Sequence, residues 1–437
     1  MRLTSSVWVC GLYVMVACTS QEEAPAVEVT SGALLFEGAR LIVGDESAAV
    51  ENSAFLIQDG RFTAVGSMGE VPLPEGGSRV DLTGKTVMPA LVDLHAHPGY
   101  LDVVGMSDGP ENYTRGNLID HLKRAAYYGV GVTLSLGLDR EGLEYALSGE
   151  IVSGASRLFT VGSGIAMPNG GPGAQARRDS AYGVTTEEEA RAAVRELAAK
   201  GPEMVKIWVD GRGGTVDKLT PELYRAVIDE SHAHGLRVIA HINELEDTKE
   251  LLRSGIDGFA HGVQAAAIDD ELMGLMADRP EVFVLANLPD NGVSSEADLA
   301  YIAETFPEAR MDSLRVTASL PEPNENFEIQ ASNIGRMYAA GVTIGFSTDG
   351  NGEGWYAHEE LADMVAAGMT PAEAIMAATS TSAAILGLDE VGSVVQGKSA
   401  DFIVLNGNPL NDISNTWRIS SVYLRGEEVD RKSLVLR

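Results

Sequence analysis

The sequence predicts an α/β protein: a parallel (β/α)8 TIM barrel with a small β-sandwich domain built from both chain ends. Three observations carry this. Eight short apolar runs alternate with helical patterns through the middle of the chain. Stretches of alternating hydrophobicity broken by tight turns flank that middle on both sides. The side chains able to hold a metal fall at the ends of the apolar runs, where such barrels place their chemistry.

The chain opens with MRLTSSVWVCGLYVMVAC, residues 1–18, which reads as an export signal. Arg2 is its only charge, and the apolar run from Val7 to Ala17 is too short to span a bilayer comfortably. The ending MVAC resembles a bacterial lipobox and makes Cys18 the candidate for lipidation, although Met15 stands where leucine is usual. An ordinary secretory signal is the alternative. Residues 19–31, TSQEEAPAVEVTS, read as a tether of low hydrophobicity. The expectation is an exported protein, periplasmic or anchored to the outer membrane, that touches the membrane only through a lipid on Cys18.

Residues 32–89 give the N-terminal part of the small β-domain. ALLFEGARLIV, SAFLIQDGRFTAVG and RVDLTGKTV read as strands, with QDGR as a hairpin turn. The texture returns in residues 387–437, in GSVVQGKSADFIVLNGNP and ISSVYLRGEEV, which supply the C-terminal part. Between them, residues 90–386 form the barrel. Its strand candidates are ALVDLH, GVTLSLG, RLFTVGS, MVKIWVD, LRVIAHI, IDGFAH, VFVLAN and VTIGFST. Helical stretches such as TTEEEARAAVRELAAKG and TPELYRAVIDESHAHG open at a threonine cap and close at glycine. The barrel exceeds the ~250 residues of a typical one, so its loops carry insertions. The clearest runs over 290–336, read as a lid or an interface between copies.

Composition narrows the chemistry. A net charge of −31 in 437 residues argues against nucleic-acid binding, since nothing would neutralise phosphates. Both cysteines lie in the leader, which excludes a disulfide, a thiolate zinc site or a cysteine nucleophile in the mature domain. A metal would therefore be held by His, Asp, Glu or Lys. His95 and His97 end the first strand candidate and share one face of it, because side chains alternate with period two. Lys206 lies in the fourth, His241 near the end of the fifth, His261 at the end of the sixth, and the eighth runs into Asp349. Taken singly, Lys206 also reads as a lysine reaching out from a strand end, His241 and His261 as satisfied core histidines, and Asp349 as a loop cap. His232 and His234 sit at a helix end, where cationic side chains suit the dipole, and read as structural. His121 reads as a helix-surface residue, and His358 as the start of the last helix, with a role behind the ligands left open.

The ordered set VMPALVDLHAHPG, VKIW, RVIAHINELEDTKELLRSGIDGFAHG, GVTIGFSTDG and GKSADFIVLNGNPL resembles the amidohydrolase superfamily, in particular its imidazolonepropionase-like and prolidase-like branch. The resemblance implies that His95 and His97 bind a first divalent metal ion and His241 and His261 a second, zinc foremost. It implies that Lys206 takes up CO2 to form a bridging carbamate. Asp349 would ligate the first metal and shuttle protons, with a hydroxide shared by the two ions as nucleophile. The implied activity is hydrolysis of an amide, cyclic amide or other C–N bond in a small molecule, a dipeptide or N-acyl amino acid among them.

The prolidase-like branch commonly carries an RD motif after strand two. Here TLSLGLDR displaces the arginine to Arg140, which puts peptidase activity in doubt. Position alone nominates Tyr100, Asn169, Arg212 and Asn243 as substrate contacts. A mononuclear deaminase-type enzyme and a non-catalytic binding lipoprotein on the same barrel are the competing readings. Assembly into a homo-oligomer stays open.

Overall fold

The computed structural model describes residues 32–140, 142–288, 296–318 and 325–436. The leader, the tether and Cys18 lie outside the described residues.

All eight apolar runs are strands, and together they make an α/β fold. Leu91–Ala96, Val130–Ser135 and Arg157–Thr160 form one parallel sheet. Val205–Val209, Val238–Ile242, Gly258–Phe259, Phe283–Leu285 and Thr343–Gly345 lie side by side in a second, extended at its other edge by the short pieces Ile165–Ala166 and Tyr182–Gly183. Backbone hydrogen bonds also run from the first strand to the segment after the last: Leu94 N donates to Phe346 O at 3.1 Å and His97 N to Gly350 O at 2.8 Å. These strands read as continuous apolar runs because they are covered on both faces. Leu91, Val205, Ile207, Val238, Ala240 and Val284 are all buried in one large core with the surrounding helices.

The helix over Glu187–Ala198 starts in a full capping box, with Thr186 and Glu189 each accepting from the other's backbone N–H. The helix over Pro221–Ala233 differs from its expected start. Thr220 makes no side-chain cap, and Pro221 in the first turn supplies the preset backbone instead. His234 is the C-cap residue, and His232 in the last turn pairs with Asp257 at 2.8 Å, a structural role as read from sequence.

Residues from both chain ends build two further sheets. One holds Leu34–Glu37, Ser53–Gln58, Arg61–Ser67 and Ser78–Asp81; the other holds Arg40–Leu41, Thr86–Pro89, Phe402–Leu405, Ile419–Leu424 and Glu427–Glu428. The QDGR hairpin forms, with Asp59 and Gly60 both at positive φ, as a two-residue turn matched to strand twist requires. Phe36, Phe55 and Phe62 of the first sheet meet Phe402 and Tyr423 of the second at centroid distances of 5.2–5.9 Å within one apolar cluster.

Segment 290–336 carries helices over Glu296–Ile302, Glu308–Ala318 and Glu325–Ala339. Leu299, Ile302, Met311 and Leu314 from the first two, with Phe306 from the turn between them, pack with Tyr127, Tyr128, Trp355 and Trp417.

Candidate active site

The site begins with strand ends. His95 is buried at the end of its strand, and its Nδ1 faces the Ala260 carbonyl at 3.2 Å. A carbonyl accepts only, so Nδ1 carries the proton and Nε2 presents a lone pair. That Nε2 lies 3.1 Å from His97 Nε2 and 3.2 Å from Asp349 Oδ1, and His97 Nε2 is 2.8 Å from the same oxygen. The three ligand atoms lie within 4.8 Å of one another, the arrangement a single cation requires. Asp349 holds its place with φ of 51°, a left-handed backbone unusual for a residue with a side chain. Its N–H donates to the His95 carbonyl at 2.7 Å. Beneath both, the buried Asp93 carboxylate accepts from His95 N, Thr348 N and Thr348 Oγ1 at 3.1, 3.1 and 2.7 Å.

A second pair faces the first. His241 Nε2 meets the Asp210 carboxylate at 3.2 Å, which leaves Nδ1 with its lone pair. His261 Nδ1 sits 3.2 Å from both the Gly262 carbonyl and the Gln264 carboxamide, and with its proton directed to the carbonyl, Nε2 is left with the lone pair. These two acceptor nitrogens are 2.7 Å apart. Burial drives His241 down to about 4 and His261 to about 3, so near neutrality both rings are uncharged, each with its single proton on the nitrogen that faces the Asp210 carboxylate or the Gly262 carbonyl. Two facing lone pairs repel, and a cation is what this donor set fits.

Lys206 is fully buried, and its Nζ has no hydrogen-bond partner among the described residues. It lies 5.5 Å from the centre of the Trp208 ring, and its charge acts on His95, His241 and His261, rings of both pairs. Burial drives its amine down to about 7, opposed by Asp349 and helped by Arg212. Burial works the other way on Asp349, raising it, but His95 and His97 outweigh this and hold the carboxyl well below its ordinary range. A buried amine without a partner is costly.

A cavity of 330 Å³ opens over these groups, lined by His95, His97, His241 and Asp349 together with Trp208, Arg177, Arg212, Asp108 and Asn351. Arg212 pairs with Asp210 at 3.1 Å. Arg177 Nη2 donates to both oxygens of Asp108 at 2.6 and 2.7 Å, and the guanidinium lies 5.0 Å from the Tyr100 ring centre. Of the four nominated contacts, only Arg212 lines this cavity. Tyr100 is buried, with its hydroxyl donating to the Leu138 carbonyl at 2.9 Å. Asn169 is exposed at a positive φ, and the Asn243 carbonyl accepts from Gln264 N and Ala265 N. Asp210 and Trp208 were not singled out from sequence, yet strand alternation puts them on the same face as Lys206.

Two other histidines complete the picture. His121, expected on a helix surface, is buried because residues 99–101 fold over it. Gly99 N donates to its Nδ1, and its Nε2 donates to Leu101 O, both at 2.8 Å. His358 is buried near the start of the helix Tyr356–Ala366, with its ring 4.7 Å from Trp417, away from the ligand cluster. Arg140 pairs with Asp179.

The sequence profile of the Amidohydrolase family matches residues 86–429. Ochratoxinase from Aspergillus niger is 26% identical over 428 residues, covering 86% of this chain and 82% of its own. Imidazolonepropionase from Streptomyces coelicolor is 25% identical over 379 residues, covering 83% and 88%. Among solved structures, a protein assigned as a prolidase from Bifidobacterium longum superposes with a TM-score of 0.70 at 26% identity, covering 93% of this chain and 98% of the other. The family match spans the strands that carry every ligand candidate and, of the terminal sheets, Thr86–Pro89 and the C-terminal strands. The chain belongs to the amidohydrolase family and is a hydrolase acting on carbon–nitrogen bonds.

Proposed function

We propose that the protein is an exported, binuclear metal-dependent amidohydrolase that cleaves an amide or cyclic amide in a small molecule, with N-acyl amino acids and dipeptides as the first class to test. The observation that carries this is the pair of lone-pair sets, His95–His97–Asp349 and His241–His261, with the unpartnered Lys206 amine acting on both. His95, His97 and Asp349 would hold one divalent ion, His241 and His261 the other, and a carbamate on Lys206 would bridge them. Such ions polarise a carbonyl and make water acidic enough to attack at neutral pH. Asp349 takes the proton released on attack and passes it to the departing nitrogen, its two tasks in the two halves of the reaction. Ala260 and Asp210 keep His95 and His241 in their ligating tautomers. Arg212 is the substrate contact this reading retains, since it reaches the cavity beside the ligands.

The same reading takes the two parallel sheets as one closed barrel, supported by the Leu94–Phe346 hydrogen bond and the Ala96–Gly350 bridge. It takes the two terminal sheets as one sandwich, supported by their shared aromatic cluster. Export and the lipid on Cys18 rest on the leader sequence.

The test is hydrolysis of a panel of N-acyl amino acids, dipeptides and lactams by the metal-loaded protein and by Asp349→Asn. Cleavage that falls about 10³-fold in the variant, with most of the metal retained, supports the assignment. Undiminished turnover in the variant removes the proton-transfer role, and a panel left intact by the parent removes the substrate class.

A further inference from the structure

Asp349 lines two cavities. One is the 330 Å³ space over the histidines. The other, of 380 Å³, lies between the loops after Gly258–Phe259, Phe283–Leu285 and Thr343–Gly345 and the helix Glu325–Ala339. Five carboxamides line this second space: Gln264, Asn287, Asn326, Gln330 and Asn351. Three of them follow three successive strands, at the end of the sheet where the ligands sit. Asn326 and Gln330 lie four residues apart on the helix and so share its face. Asn351 belongs to both cavities, and its Oδ1 accepts from Arg177 Nη1 at 2.5 Å. No lysine or arginine is among the described lining residues, and the single carboxylate, Asp349, is engaged by His95 and His97.

We propose that this cavity is a specificity subsite, which selects substrates carrying an uncharged hydrogen-bonding group, a carboxamide or a hydroxyl, on one side of the scissile bond. The inference rests on the hydrolase reading above and names the half of the substrate that faces away from Arg212. A carboxamide carries two donors and an acceptor oxygen without charge; here Asn351 Oδ1 is taken by Arg177 and Gln264 Nε2 lies 3.2 Å from His261 Nδ1, so what these two offer a ligand is the remainder. An apolar group seated here would strip water from these amides and return no hydrogen bond. Sites built around such bonds reject the analogue lacking them by on the order of 10⁴-fold. An anion would find no lysine or arginine in the described lining, and the nearest guanidinium, Arg177 across Asn351, is already committed to Asp108. A cation would find the one carboxylate already committed to the ligand cluster.

The test uses the metal-loaded full chain and matched ligands that differ at one side chain. N-acetyl derivatives of glutamine, homoserine, glutamate, methionine and lysine place the side chain on the amine half; the corresponding X-glycine dipeptides place it on the acyl half. Calorimetry gives binding, and chromatography of the same samples gives cleavage. The proposal expects the glutamine or homoserine member of one series to bind at least tenfold more tightly than the other three. Which of the two leads separates carboxamide from hydroxyl recognition. It also expects Gln330→Leu, and independently the exposed Asn326→Leu, to reduce that preference at least threefold while methionine binding holds or improves. Equal binding, no binding, a preference for methionine or a charged member, or a preference unchanged in both variants overturns it. Selective binding without cleavage keeps the subsite and sinks the hydrolysis of this substrate class; cleavage without selectivity does the reverse.

Discussion

His95 and Asp349 are joined twice: the Asp349 N–H donates to the His95 carbonyl at 2.7 Å, and Asp349 Oδ1 lies 3.2 Å from His95 Nε2. The backbone bond fixes the distance that the side chains then use. Two ligands from opposite ends of the sequence are thereby set as rigidly as two from one strand, and Asp93 below ties the same two segments together. Preorganisation of this kind is what a metal site needs, since ligands that must be gathered on binding cost affinity.

Asp210 sets the tautomer of His241 through the 3.2 Å contact to Nε2. Asp210→Asn keeps the shape but offers the ring an ambiguous partner. Loss of such a second contact typically costs 10–100-fold in metal affinity. Competition with a chelator should show a loss of that size confined to one of the two ions; an unchanged titration would contradict the role.

Trp208 stands in a slot made by two glycines. A Cβ on Gly164 would lie 2.1 Å from its Cζ3, and one on Gly137, at φ of 105°, 2.7 Å from its Cη2. Gly164→Ala must therefore displace the indole that lines the ligand cavity beside Lys206. The expected cost is about 1–3 kcal/mol of stability, read by denaturant unfolding, together with lowered kcat/KM. A variant equal to the parent in both would show that the ring can shift at no cost.

Glu144 is buried behind the cavity and accepts from Ser135, Thr160 and Tyr113 at 2.6–2.8 Å, with Asp139 close by. Burial, with the Asp139 charge adding to it, raises its carboxyl to about 7. Because the folded value lies above the unfolded one, the native state holds the extra proton between about 4.5 and 7. The stability this provides is present at the acid end of that window and is lost as pH rises through it, by up to ~3 kcal/mol. Glu144→Gln should flatten that limb of the stability profile; a profile with the same slope in both proteins would contradict it.

Much of the site was legible because strands impose a period of two. His95 with His97 followed from an apolar run whose faces could be counted, and Lys206 from its place in the fourth run together with the family resemblance. The same count reaches Trp208 and Asp210, so their omission was a failure to continue it rather than a lack of signal. Tyr100 was nominated for its nearness in sequence to the histidines. Gly99, at φ of 105°, turns the chain there, and the ring enters a separate cluster with Tyr113 and Leu118. His121 was misread because a helical wheel does not report what a loop later covers. The carboxamides at 264, 287, 326, 330 and 351 had no local pattern at all. Only the convergence of three strand ends and one helix makes them a surface, and that is tertiary information.

The most direct measurement is the metal content of the purified mature domain, loaded with and without bicarbonate and repeated on Lys206→Ala. The binuclear account predicts two ions per chain, with the second dependent on bicarbonate and lost in Lys206→Ala. One ion per chain, indifferent to bicarbonate and to Lys206, would contradict it and leave His95, His97 and Asp349 to act with a single metal.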